Sequence, residues 1–134
     1  IGSISGHIAR PAMSAYVMSK FAVRGLAESL RPEVAPYGVT VTLINPGFVT
    51  SEIHRVNNQG VIRHDAVDPI PGWLRMPADF AARRIVRAVA RRRREATISL
   101  LGRAVLFAHR HAQWVSPLML GRLGGITRPR AGRA

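Results

Sequence analysis

A helix, a tight turn and a strand follow one another over residues 15–44, and they constrain the fold more than any other stretch. Apolar residues recur every three or four positions from Ala15 to about Ala35, which predicts an amphipathic helix. Val39–Ile44 is rich in β-branched residues and is bounded by Gly38, which predicts a strand. This order is typical of an α/β unit with a parallel sheet.

Further elements are predicted on either side of this unit. Ser14 is the predicted N-cap of the first helix, and Pro32 should loosen its last turns. We expect its buried stripe to consist of Phe21, Val23, Leu26, Ala27, Leu30 and Val34. A second helix should run from Pro77 to about Arg94, with an inner stripe of Ala82, Ile85, Val86 and Val89. A last strand is predicted at Ala96–Leu100.

The predicted elements divide the chain into two regions. Residues 1–100 should form the α/β part, which contains a long irregular segment at about 48–76 of the kind that often forms a binding loop. Residues 101–134 should form a basic, helical C-terminal extension. After Gly102, one helical piece is expected at Arg103–Trp114 and a second from Ser116-Pro117 to about Leu123. Residues 1–5 have the character of the end of a buried strand, so we expect the chain to be a piece of a longer protein.

Composition narrows the function classes. The absence of cysteine excludes disulfides and thiolate metal sites, and the five histidines show no metal-ligand spacing. The formal net charge of +13 raises nucleic acid or an anionic membrane as partners. Because the basic residues are spread along the chain, we interpret most of this charge as a solvated surface. The tail is too interrupted by arginines to span a bilayer.

Tyr16 and Lys20 are four residues apart, which places them on the same face of the predicted helix. An ammonium group beside a phenol favours the phenolate, so such a pair can donate and accept a proton. Nineteen of the 20 basic residues are arginine and only Lys20 is lysine. The sequence therefore indicates a site that needs a slim, rotatable ammonium rather than a flat guanidinium.

Three candidate sites converge on one edge of the predicted sheet. Ser3 follows the first strand end, the helix with Tyr16 begins soon after it, and Pro46-Gly47 follows the next strand. Ligands of parallel α/β sheets bind beyond the carboxyl ends of the strands.

These residues resemble the C-terminal half of the short-chain dehydrogenase/reductase family. That half carries a serine, a Tyr-x-x-x-Lys thirteen residues later and a strand ending in Pro-Gly, here Ser3, Tyr16 with Lys20, and Asn45-Pro46-Gly47. The resemblance implies the C-terminal portion of a Rossmann-like, doubly wound parallel sheet, with the N-terminal strands missing. It also implies NAD(P)-dependent interconversion of an alcohol and a ketone or aldehyde by hydride transfer.

The resemblance assigns a role to each matching residue. Tyr16 would be the general acid or base, and Ser3 would hold the substrate oxygen, with Ser5 as the alternative hydroxyl. Lys20 would bind the nicotinamide ribose and favour the tyrosinate. The backbone of Val49 would contact the nicotinamide carboxamide. The implied cofactor-binding set is Tyr16, Lys20, Pro46, Gly47, Val49 and Ser51, where Ser51 stands in place of a frequent threonine.

Three features of the family do not occur in the sequence. They are the Gly-x-x-x-Gly-x-Gly turn for the cofactor pyrophosphate, the acidic or basic residue that selects NAD or NADP, and the asparagine that completes the proton relay. We therefore expect the isolated chain to be inactive and leave NAD against NADP open. A truncated, non-catalytic dimerisation or binding module is the first alternative, because the tyrosine helix of this family commonly packs between subunits. A basic nucleic-acid or membrane-surface binder is the second.

The irregular segment suggests the kind of substrate. Its apolar side chains predict a lipophilic alcohol or ketone, and they are Phe48, Ile53, Trp73 and Leu74. We further expect a cytoplasmic homo-oligomer when the protein is full length, with contact between the C-terminal helices and a membrane surface as an alternative.

Overall fold

The computed structural model describes residues 1–56, 59–62 and 70–111 of the chain. The helices and strands of this part are α1 (Ser14–Val34), β1 (Leu43–Asn45), α2 (Ala78–Ala90), β2 (Glu95–Thr97) and α3 (Leu100–His111). Short 3₁₀ turns occur between them, at Ile4–Gly6, Ala35–Tyr37, Glu52–Arg55 and Gly72–Leu74.

The two strands form a parallel sheet, in which Leu43 lies opposite Glu95 and Asn45 lies opposite Thr97. On the other side of β1, the Gly2 N–H donates to the Ile44 carbonyl at 2.8 Å. The first residues therefore lie beside β1, with β2 on its far side. This confirms the predicted α/β class with a parallel sheet, as in part of a Rossmann-like fold.

The core lies between α2 and the sheet. Ile44, Ala88 and Ile98 are buried together there, and the partly buried side chains that pack on them are Met76, Ile85 and Ala96. The predicted inner stripe of α2 is only partly right. Ala81 and Ala88 are buried, whereas Val86 and Val89 are largely exposed. Because alanines let a helix approach a sheet closely, α2 is turned toward Ala81 and Ala88 rather than toward its valines.

Helix α1 differs from its prediction at both ends and along its face. Met13 occupies the N-cap position without a side-chain bond, so the prediction of Ser14 as the cap is wrong. The helix continues past Pro32 to Val34 before it tightens into a 3₁₀ turn. Of its residues only Ala27 is buried, and Leu26 is largely exposed. The spacing of apolar residues predicts which face of a helix is apolar, but it does not predict whether another segment packs on that face.

The strands are shorter than predicted, and α3 begins earlier. β1 starts at Leu43 and includes Asn45, and β2 ends at Thr97. The helix expected from Arg103 onward begins at Leu100, so Gly102 lies buried within α3 rather than before it. A Cβ there would come within 2.6 Å of the Ile4 Cδ1, so the missing side chain allows close packing at this residue. The helix predicted beyond Ser116 falls outside the described residues.

Two isolated β-bridges pair residues of the irregular segment, one between its two ends and one within it. Val49 and Met76 form an isolated parallel bridge, and Val56 bridges Ile62 in antiparallel fashion. Among the helices of the described ranges, none combines the length and apolarity needed to cross a bilayer.

Candidate active site

Tyr16 and Lys20 occupy the first turns of α1, as the sequence predicted. Their i,i+4 spacing puts the Lys20 Nζ 5.6 Å from the centroid of the Tyr16 ring. The tyrosine is 42% exposed, so its phenol is accessible to a ligand. The structure thus brings a proton-donating phenol and a cation together at the start of a helix.

Lys20 is held against the first residues of the chain. Its Nζ donates to the Ile1 carbonyl at 3.3 Å. A Cβ on Gly6 would lie 2.8 Å from the Lys20 carbonyl oxygen, so α1 can approach this closely because residue 6 has no side chain. No carboxylate in the described part of the chain forms an ion pair with Lys20, and its remaining donors are available for hydroxyl groups.

Ser3 lies where the chain leaves the sheet. It is partly buried and caps the first 3₁₀ turn, where its Oγ accepts the N–H of Ser5 at 3.1 Å. A hydroxyl that accepts this bond can still donate its own proton. Ser5, the alternative hydroxyl, is a buried residue of this turn, whereas Ser3 is only partly buried.

The turn after β1 requires glycine. Gly47 adopts the left-handed conformation, with φ of 87°. A Cβ at this position would lie 2.5 Å from the Ser99 Oγ, and that oxygen accepts the N–H of Gly102 at 3.0 Å. Pro46 and Gly47 therefore fold back against the start of α3, at the carboxyl end of β1.

Val49 leaves its backbone polar groups unpaired on one side. Its bridge to Met76 consists of bonds from Thr50 N to Met76 O at 2.9 Å and from Met76 N to Phe48 O at 2.9 Å. Both bonds use the neighbours of Val49. Within the described ranges its own N–H and C=O have no partner, which leaves one donor and one acceptor side by side.

The remaining predicted site residues do not form a compact cluster. Ser51 is exposed at the N-cap position of the 3₁₀ turn Glu52–Arg55, without a capping bond. Ile53 and Trp73 are largely exposed, whereas Phe48 and Leu74 are partly buried. The apolar side chains of this segment are thus accessible to a ligand, but these four residues do not enclose a pocket.

A buried polar cluster beside the site was missed by the sequence reasoning. The Asn45 side chain is fully buried, and its Nδ2 donates to the Glu95 Oε1 at 2.6 Å. The His7 Nε2 lies 2.8 Å from the same oxygen. The cluster ties the end of β1 to β2 and to the segment after Ser3. An asparagine directly after a buried strand was the available signal.

Burial decides the charge of His7. It lowers the pKa of His7 below its usual value near 6.5, and the opposing Glu95 carboxylate does not outweigh it. The contact at 2.8 Å is therefore a hydrogen bond from a neutral imidazole at neutral pH, with Nε2–H as the donor. The Asn45 Oδ1 has no partner among the described residues.

Comparison with known proteins identifies the family of this arrangement. The model of the short chain dehydrogenase family matches residues 1–61. This range contains Ser3, Tyr16, Lys20 and the Pro46-Gly47 turn. No solved structure gives a significant match.

Individual relatives carry oxidoreductase names. "Dehydrogenase/reductase SDR family member 7B" of Xenopus tropicalis is 33% identical over 101 residues, which are 74% of this chain and 32% of that protein. "Uncharacterized oxidoreductase YusZ" of Bacillus subtilis is 47% identical over 40% of this chain and 19% of that protein. "3-ketodihydrosphingosine reductase" of Dictyostelium discoideum is 46% identical over 34% of this chain and 14% of that protein.

The chain thus spans at most about a third of the length of these curated relatives. The matched range and the geometry of its residues lead to one conclusion: the chain belongs to the short-chain dehydrogenase/reductase family.

Proposed function

We propose that this chain carries the acid–base half of an NAD(P)-dependent oxidoreductase that interconverts an alcohol and a ketone or aldehyde. The observation that carries the proposal is the Tyr16 phenol beside the Lys20 ammonium, held against residues that leave a parallel sheet at its carboxyl edge. Family membership supports the same chemistry.

Each polar group has a defined task in this reaction. The Tyr16 hydroxyl gives its proton to the carbonyl oxygen during reduction and takes it back during oxidation. The positive charge of Lys20 stabilises the phenolate that is left behind. Ser3 donates its hydroxyl proton to the same substrate oxygen, which fixes the substrate for the reaction.

The described residues fit a nicotinamide cofactor. When bound, NAD(P) supplies or accepts the hydride. Lys20 has donors left for the ribose hydroxyls, and the unpaired N–H and C=O of Val49 complement a carboxamide. Pro46 and Gly47 shape the turn before Val49, and the exposed Ser51 hydroxyl offers one further contact.

The substrate proposed for this site is a lipophilic alcohol or ketone. Ile53 and Trp73 expose apolar area after the Pro46-Gly47 turn, and apolar surface near a polar centre suits a substrate with a hydrocarbon portion. The name of the Dictyostelium relative indicates a keto lipid as that protein's substrate, which supports the same class here.

We further propose that turnover needs residues that these 134 do not supply, because no Gly-rich pyrophosphate turn occurs in the sequence. A homo-oligomer in the cytoplasm is the expected setting. A non-catalytic dimerisation module remains the second candidate, since α1 exposes the apolar side chains of Met18, Phe21 and Leu26.

Tyr16→Phe tests the proposal in a protein in which a cofactor-binding half with a Gly-rich turn precedes this chain. We expect carbonyl reduction to fall by about 100- to 10,000-fold because the proton donor is lost. Binding of NADH or NADPH, followed by fluorescence, should stay near the unsubstituted value.

Tyr37→Phe is the matched control, because Tyr37 is 82% exposed and lies far along the chain from the site. It should leave both activity and cofactor binding unchanged. Retained turnover in Tyr16→Phe would refute the assignment of the acid and would favour the non-catalytic module.

A further inference from the structure

A basic cleft lies between α1, β2 and α3, apart from the candidate active site. Its volume is about 540 Å³, and four arginines line it: Arg24, Arg93, Arg103 and Arg110. None of the residues proposed above for catalysis or cofactor binding contributes to its lining. Its lining runs along β2 from Glu95 to Thr97 and includes His7, but it does not include the Pro46-Gly47 turn.

One face of α3 supplies much of this lining. Arg103, Leu106, Phe107 and Arg110 are spaced three, four and seven residues apart, so they lie on the same side of the helix. The two arginines stand two turns apart, with the apolar pair between them. A helix face with cations at both ends and apolar carbons in the middle suits a ligand that is itself part charged and part apolar.

Most of the positive charge in the cleft is uncompensated. Arg24 forms an ion pair with Glu28 at 2.8 Å. The side chains of Arg93, Arg103 and Arg110 have no hydrogen-bond or ion-pair partner among the residues that the structure describes. Guanidinium groups that line one cavity without forming ion pairs attract an anion.

The one carboxylate in the lining leaves the cleft positive. Glu95 adds a single negative charge, and its Oε1 accepts bonds from the Asn45 Nδ2 at 2.6 Å and from the His7 Nε2 at 2.8 Å, so it is held toward these groups. His109 and His111 also line the cleft. The His109 Nδ1 is buried without a described partner.

We propose that this cleft binds a phosphate ester, with Arg93, Arg103 and Arg110 on the phosphate and Leu106 with Phe107 on its organic group. The planar fork of arginine matches phosphate oxygens in pairs, and a cluster of three suits a dianion better than a single carboxylate. The volume exceeds what a phosphate alone fills, so the attached group has room. This site is independent of the proposed oxidoreductase activity.

Titration calorimetry of the purified chain at fixed ionic strength tests the proposal, with inorganic pyrophosphate as the probe. Arg103→Gln/Arg110→Gln should weaken binding by about tenfold or more, because two charge-assisted contacts are lost. Arg87→Gln/Arg91→Gln is the charge-matched control, with one residue in the last turn of α2 and one at its C-cap. Neither residue lines the cleft, and the change should weaken binding by less than about threefold.

Flotation with phosphatidylcholine vesicles, with and without phosphatidic acid, distinguishes a lipid headgroup from a free phosphate ester. The site is supported if Arg103→Gln/Arg110→Gln, here called the cleft variant, loses binding to pyrophosphate or to phosphatidic acid vesicles while the control variant keeps it. Equal weakening in both double variants would show general attraction to a basic chain and would overturn the proposal, as would the absence of binding to both probes. If the cleft variant lacks the helical circular dichroism of the unsubstituted chain, Arg93→Gln is the substitute and is judged by the same comparison.

Discussion

At the residue scale, Lys20 shows why the chemistry of one side chain can be inferred from a sequence. Among 20 basic residues it is the single lysine, and the structure gives its ammonium a close approach to the Tyr16 ring and to the Ile1 carbonyl. A guanidinium is planar and wider than an ammonium, so an arginine could not make the same contacts between the Tyr16 ring and the Ile1 carbonyl. Residue choice and geometry therefore agree at this position.

His7 gives a prediction for pH dependence. Its pKa is lowered by burial in the folded chain, so the unfolded state takes up the proton first as the pH falls through about 6.5. The free energy of unfolding should therefore decrease below that pH, by no more than about 1.4 kcal/mol per pH unit from this group, until the folded pKa is passed. Above pH 6.5, His7 should contribute no slope.

Urea denaturation between pH 4.5 and 8 checks this for the chain and for His7→Gln. A glutamine amide can still donate to Glu95 but does not titrate, so the acid-side slope should be flatter in the variant while the two curves run parallel above pH 7. Identical slopes in both proteins would show that His7 does not control the acid response.

At the element scale, the turn after β1 carries a stricter requirement than the turn after α1. Gly38 and Gly47 both have positive φ, of 73° and 87°. A Cβ on Gly38 would meet nothing within 4 Å, whereas one on Gly47 would meet Ser99. The two glycines therefore separate backbone strain from side-chain collision.

Gly47→Ala should destabilise the chain by more than about 2 kcal/mol, because strain and overpacking add. Gly38→Ala should cost only about 1 kcal/mol, the backbone term alone. Chemical denaturation measures both. Similar losses in the two variants would mean that the contact with Ser99 imposes no cost.

The same elements show what the sequence could and could not predict. The order of helices and strands, the parallel pairing and the Tyr16–Lys20 face followed from periodicity and spacing, which are local properties. The burial of α1, the choice of alanines over valines on α2 and the Asn45–Glu95 bond depend on which segments meet in space. Gly102 illustrates the limit, since a glycine expected to precede the helix lies within α3 and allows it to pack on Ile4.

At the scale of the whole molecule, we propose two polar sites of different character. One would contain Ser3, Tyr16 and Lys20 at the carboxyl edge of the sheet, where proton transfer is proposed. The other is the basic cleft beside α3, where an anion is proposed to bind. The matches cover only 32% and 19% of two relatives, so the first site is proposed to act together with residues outside this chain.

Transfer of deuterium to a lipophilic ketone from NADH or NADPH that carries deuterium at both C4 positions tests the central claim most directly. The measurement uses a protein in which a cofactor-binding half with a Gly-rich turn precedes this chain, and mass spectrometry of the alcohol product locates the label. The account predicts one deuterium on the carbinol carbon, formed with the unsubstituted protein and with Tyr37→Phe but lost with Tyr16→Phe. An alcohol product without the label, or the same labelling in Tyr16→Phe, would contradict it.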